Sequence, residues 1–151
     1  MTEVCLRGQP DTDIQEALLA YETARSALAP YQHHHPFENT IAVETVSLGA
    51  AISLLNDLDW YLARTTRGTL LRDPSVSASE WLSRDLAEQV RNGEIPPDDT
   101  GQYLKVYGLA DRELIEPMYV TRRADSIPEY DLADVEATVV VRVTEREFER
   151  G

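Results

Sequence analysis

Tyr103, Lys105 and Tyr107 alternate with Leu104 and Val106. On a strand, two phenol rings and an ammonium therefore share one face. If the run Met118–Arg123 pairs back as a hairpin, Tyr119 and Arg123 join that face, and Arg122 and Arg123 can reach phosphate. Rings interleaved with cations are the chemistry of a single-stranded RNA platform, where each stacked base contributes roughly 1–3 kcal/mol. These six residues, Tyr103, Lys105, Tyr107, Tyr119, Arg122 and Arg123, are the nucleic-acid-binding candidates. Against that reading, tyrosine is an ordinary strand residue and no RNP signature is present.

Other reactive residue types occur without the companions they need. Thr45-Val-Ser47-Leu-Gly49 joins a strand to a helix and is similar to the nucleophile elbow of the α/β-hydrolase family. Thr45 stands where that turn has its first glycine, and no histidine follows His35, so Ser47 lacks a base and reads as a helix N-cap. His33, His34 and His35 are consecutive, and in an extended segment their side chains point to opposite faces. No second His or Cys cluster completes a metal site, so they read as surface residues and no metal is expected. Asp57 and Asp59 lie two apart, which does not put them on one helix face. Gly8 has no glycine companions for a dinucleotide turn. No catalytic residue and no cofactor are assigned.

The elements that would position these groups are organised around Thr40–Asp73. A β-like run, Thr40–Val46, leads into the longest apolar-periodic segment, in which Leu48, Ala51, Ile52, Leu55, Leu58, Leu62, Thr66, Thr69 and Leu70 recur at helical spacing. The reading is a helix capped by Ser47 and stopped by Pro74, with Asp59 inside its apolar stripe as a buried polar candidate needing a partner. A second reading breaks the helix at Asn56-Asp57 and makes Leu58–Thr66 a strand, turning Asp59 outward; both stay open here.

Around this centre, residues 3–7 alternate as a first strand, with Cys5 a small packed residue. Thr12 and Gln15 suggest a capping box for a helix carrying Ile14, Ala17, Leu18, Tyr21 and Leu28 as far as Pro30. Ser77 and Glu80 suggest another, for a helix with Trp81, Leu82, Leu86 and Val90 ending at Gly93. Thr138–Thr144, apolar on both faces, reads as a central strand, and Thr144 with Glu147 as the cap of a last turn.

Composition bounds the partners. The chain has 151 residues, enough for one domain with a real core, and no linker-like shift divides residues 1–151. Its net charge is −13, and of the 14 basic residues only Lys105 is a lysine. Such a surface repels itself in dilute buffer but is screened in salt above roughly 1 M, where the Debye length is about 3 Å. That fits a halophile's cytosol. The same charge disfavours nucleic acid overall, because phosphate binding rests on cations and weakens with salt. Lone Cys5 fits a reducing compartment. No apolar run suggests a signal or a membrane span, so a cytoplasmic location is expected.

The segments Ala42-Val-Glu-Thr-Val-Ser-Leu-Gly49, Leu54-Leu-Asn-Asp-Leu-Asp-Trp-Tyr-Leu62, Ser79-Glu-Trp-Leu-Ser-Arg-Asp-Leu86 and Leu104-Lys-Val-Tyr-Gly108 resemble a family of small acidic haloarchaeal proteins of unknown function. The resemblance spans most of the chain and implies no activity and no catalytic residue. The expected fold is a single α+β domain, about three helices on a mostly antiparallel sheet of four to five strands. The expected function is a non-enzymatic interaction or regulatory protein acting through a protein partner or self-association. The alternatives are an RNA-associated accessory domain using the Tyr/Lys/Arg face and a small hydrolase or metal-dependent enzyme.

Overall fold

The computed structural model describes residues 1–124, 126–130 and 135–151. Its strands are β1 (Thr2–Gly8), β2 (Thr40–Thr45), β3 (Thr66–Arg72), β4 (Trp81–Ser83), β5 (Tyr103–Ala110), β6 (Glu113–Thr121) and β7 (Ala137–Arg142). Its helices are α1 (Ile14–Leu19), α2 (Glu22–Leu28), α3 (Leu48–Thr65), α4 (Arg84–Arg91) and α5 (Glu145–Arg150), with a 3₁₀ turn at Pro97–Asp99. The strands form one seven-stranded sheet in the order β2-β1-β3-β4-β7-β5-β6. β4 and β7 pair in parallel and the other neighbours antiparallel, so the sheet is mixed. The expectation of four to five mostly antiparallel strands under three helices is corrected: the described residues form seven strands in a mixed sheet and five helices.

Two strands went unread for different reasons. β4 has only three residues, too few for a period to show. β3 was hidden in the tail of the central periodic segment, where Thr66, Thr69 and Leu70 fit a helical phase by coincidence. The helix in fact ends at Thr65, so neither the helix running to Asp73 nor a strand over Leu58–Thr66 describes the chain. No proline is involved. The β-branched pair Thr65-Thr66 turns its hydroxyls back onto the carbonyls of Tyr61 and Leu62 at 2.9 and 2.7 Å, and Thr66 is already extended. The strand begins with no connecting loop.

Other local expectations shift by similar competition. The first helix starts from Asp13, whose carboxylate accepts the Glu16 N–H, and it breaks at Tyr21 into α1 and α2. Ser77 accepts the N–H groups of Ser79 and Glu80 in a turn, while Ser83 caps α4. Trp81 and Leu82 belong to β4 rather than to a helix. Thr144 and Glu147 form a reciprocal capping box on α5.

The sheet separates two apolar clusters. Val4, Leu6, Val43, Leu71 and Leu82 face α1–α4 and pack with Leu55, Leu58, Leu62 and Leu86. Cys5, Ala42, Leu70, Trp81, Tyr107, Val139 and Val141 face the other way and pack with Phe37 and Leu114. Strand alternation explains the division, since Val4 and Cys5 or Leu70 and Leu71 point to opposite faces. β1, paired on both sides, is buried along its whole length.

The second cluster is possible because the sheet curls. β1 and β5 are four strand spacings apart, roughly 19 Å in a flat sheet at about 4.8 Å per spacing. Arg7 of β1 nevertheless donates to the Tyr107 hydroxyl of β5 at 2.9 Å. At the sheet's two margins, the Glu38 N–H in the loop before β2 reaches the Arg112 carbonyl in the β5–β6 turn at 2.7 Å. The sheet is a partly closed barrel, with the second cluster inside and the first between its outer face and the helices.

The candidate anion cleft

A cleft of about 350 Å³ opens where the curled sheet loses its middle strand. β4 ends at Ser83 and turns into α4, and Leu70 is the first residue of β3 to find a β4 partner. Among the described residues, Thr66–Thr69 therefore have a strand neighbour only in β1. The end of α3, the start of α4, β5 and β6 wall the gap, and Arg7 forms part of its lining. Its volume lies at the lower end of ordinary small-ligand pockets, and a barrel mouth is a usual place for one.

Arg7 is 7% exposed. Its Nη1 donates to the Tyr107 hydroxyl, and its guanidinium carbon lies 4.7 Å from the centre of that ring. β1 brings it here because odd-numbered residues of the strand face the barrel interior. Gly8, next in the chain, has to be small, since a Cβ there would come within 2.6–2.8 Å of Asn39 and Ile14. Lys105 approaches from β5, its Nζ 5.0 Å from the Tyr107 ring centre and 5.7 Å from that of Tyr119. Arg67, exposed on β3, stands at the rim.

None of these three cations lies within ion-pair distance of a carboxylate among the described residues. In a chain of net charge −13 that is the unexpected feature of the cleft. The acids that line it are otherwise engaged or open to water. Glu147 accepts from Ser83 Oγ at 2.6 Å and from the Thr144 N–H at 2.9 Å. Asp59 accepts from Arg84 at 2.9 Å, and Arg84 also reaches Asn56 and Glu88. Asp85 is exposed in the first turn of α4. Burial pushes the Arg7 guanidinium below its ordinary pKa; Tyr107 acts in the opposite sense and the like charge of Arg67 in the same one. It remains charged at neutral pH. For Lys105, burial lowers the pKa, but contacts with Tyr107 and Tyr119 outweigh it and the net shift is upward.

Of the residues suggested by sequence, Lys105, Tyr107 and Tyr119 do meet, around this cleft. The other three are placed elsewhere. Tyr103 packs on Phe148 of α5 with ring centres 5.2 Å apart. Arg122 donates to Glu80 at 2.5 Å, beside Arg142 at 2.7 Å on the same carboxylate oxygen. Arg123 sits in an isolated bridge to Ser126. Tyr107 is only 4% exposed, so its face is closed to a stacked base.

Asp59 is exposed on α3 rather than buried in its stripe, because Leu58 and Leu62 occupy the inward positions. Ser47 accepts the Ala50 N–H at 3.1 Å as an N-cap. The histidines diverge, with His33 facing the Leu28 carbonyl, His34 facing Glu3 and His35 facing the Thr40 carbonyl. Among the described residues, no three His, Cys, Asp or Glu side chains gather as a metal site. Cys5 is fully buried, and burial pushes its thiol up to about 12.

Arg7 and Arg67 escaped the sequence reading. Arg7 falls within the alternating residues 3–7 and Arg67 within the segment expected to continue the central helix, so neither stood out. The sequence carried no signal for Arg7, because the burial of β1 on both faces is decided by the fold.

A model of a family of unknown function, DUF5804, matches residues 2–109. The chain belongs to that family. The DUF5804 match covers Arg7, Arg67, Lys105 and Tyr107 and ends before Tyr119, Val141 and Glu147, which complete the far wall. No curated protein matches the chain. No solved structure matches it. Among the described residues, no helix is long and apolar enough to cross a membrane.

Proposed function

We propose that the protein is a non-enzymatic binding protein of regulatory type that takes a small organic anion into the cleft beneath α3 and α4. One observation carries this reading: Arg7 is more than nine-tenths buried, lines the cleft and has a phenol rather than a carboxylate as its side-chain partner. A guanidinium out of water without a counter-charge is costly, and an incoming anion supplies the missing charge. The cleft's other polar groups favour holding charge over moving protons, since no histidine is among its described lining residues and Glu147 is held by two donors.

The acidic, lysine-poor composition supports a cytosol of concentrated salt as the working environment. There a surface anion site would be screened away, whereas a buried guanidinium retains its pull. Trp60, 54% exposed and flanked by Tyr21 and Tyr61, supports a protein contact or self-association as the route by which occupancy is read out. The test is thermal denaturation in 2 M KCl with a panel of organic carboxylates, sulfonates and phosphates. At least one class raises Tm and is recovered chemically unchanged. A panel that leaves Tm untouched overturns the anion reading, and turnover of a bound member overturns its non-enzymatic part.

A further inference from the structure

The anion reading leaves open which charged group the cleft selects, and three features of the cleft bear on it. First, three cations of the cleft, Arg7, Arg67 and Lys105, have no ion pair among the described residues, and they come from three strands. Arg7 and Lys105 flank the same Tyr107 ring, at 4.7 and 5.0 Å from its centre. Second, Arg7 lies opposite Gly68 in the β1–β3 ladder, which makes Arg67 its diagonal neighbour in sequence register, and both residues line the cleft. A monoanion would answer one of three charges. A dianion with three terminal oxygens offers one acceptor to each of the three residues, and charge-assisted bonds of this kind are roughly twice as strong as neutral ones. Third, Leu62, Leu70, Val141 and Val143, all buried, with the ring of Tyr119, give the cleft an apolar side on which a ligand's carbon body can lie. The volume of about 350 Å³ suits a small molecule rather than a polymer.

From this arrangement we infer that the ligand is a small phosphate monoester, its dianionic head held by Arg7, Arg67 and Lys105 and its organic body against the apolar wall. The inference rests on the anion reading above and narrows it. Arg67 lies at the rim and closes on the phosphate from outside, while Lys105, the sole lysine, supplies the charge between the two tyrosine rings.

The experiment is isothermal titration calorimetry on the full chain in 2 M KCl with phenyl phosphate, benzoate and a 5′-phosphorylated oligonucleotide. Phenyl phosphate is expected to bind at least tenfold more tightly than benzoate. Lys105→Ala and Arg67→Ala are each expected to weaken it at least tenfold while leaving Tm within two degrees of the parent. Both side chains are partly or fully exposed and neither is in an ion pair among the described residues, so the variants are expected to fold even if Arg7→Lys does not. Benzoate binding as tightly as phenyl phosphate overturns the phosphate assignment but leaves the anion reading standing. Binding of phenyl phosphate unchanged in both alanine variants moves the site away from this cleft and overturns the inference. A tighter oligonucleotide overturns the small-molecule assignment in favour of a nucleic-acid end. If no anion of any class binds, both readings fall together.

Discussion

Arg7 is a side chain whose chemistry works against the fold that holds it. A buried guanidinium resting on a phenol hydroxyl and a ring face has exchanged strong hydration for weaker contacts. Replacing it with an apolar side chain of similar length should therefore not harm the fold, provided the Tyr107 hydroxyl is not left orphaned. The double variant Arg7→Met/Tyr107→Phe is expected to match or exceed the parent in urea midpoint, and to lose all stabilisation by added anions. A midpoint drop of several kcal/mol equivalent would assign Arg7 a structural role instead. Asp73 shows the opposite case. Desolvation raises its pKa, but bonds from Ser75 and Thr2 outweigh that and hold it below its ordinary value. Since the folded pKa is depressed, the stabilisation is fully present above the unfolded pKa and disappears as pH falls through the folded one. The stability difference between parent and Asp73→Asn should accordingly shrink as pH falls below the ordinary carboxylate range; a difference that stays constant through that fall would refute the carboxylate's charge as its source.

At the scale of elements, α3 carries the outer core and hands the chain directly to β3. Its inward face, Ala51, Leu54, Leu55, Leu58, Leu62 and Thr65, is continuous with the first apolar cluster. Leu58 is 1% exposed, so Leu58→Ala leaves a cavity and is expected to cost about 2–5 kcal/mol. Ser47→Ala removes one cap bond at the exposed end of the same helix, and about 1 kcal/mol is expected. Chemical denaturation of the two variants checks the ratio; comparable losses would mean that the helix is held by its ends rather than its face. β4 and β7 join the two halves of the sheet through a short parallel pairing, reinforced by Glu80, which accepts from both Arg122 and Arg142. That carboxylate ties β6 and β7 to the approach of β4. Arg122 is consequently a structural cation, though its sequence context beside Arg123 resembled a phosphate contact.

For the molecule as a whole, the net charge of −13 sits on the outside while three cations without an ion pair among the described residues gather at one opening. The two facts imply different responses to salt. Self-repulsion of the exterior falls as ionic strength rises, so the urea midpoint is expected to increase steadily from 0.1 to 2 M KCl. Binding in the cleft should weaken less than a surface contact would, because buried charges are screened less. A midpoint indifferent to KCl would separate the acidic composition from any salt adaptation.

Local chemistry alone determined β1, β2, β5 and β7 and the Ser47 and Thr144 caps, because alternation and capping are properties of neighbours in sequence. It also brought Lys105, Tyr107 and Tyr119 into view as one face. Only the tertiary structure decided that Tyr107 is closed to a base and that Arg122 is neutralised by Glu80. It alone decided that Arg7, 100 positions away, completes the site. The reason is the curl of the sheet: pairing order and strand twist are set by contacts between distant segments, and they turn a face that reads as an open platform into the wall of a cleft.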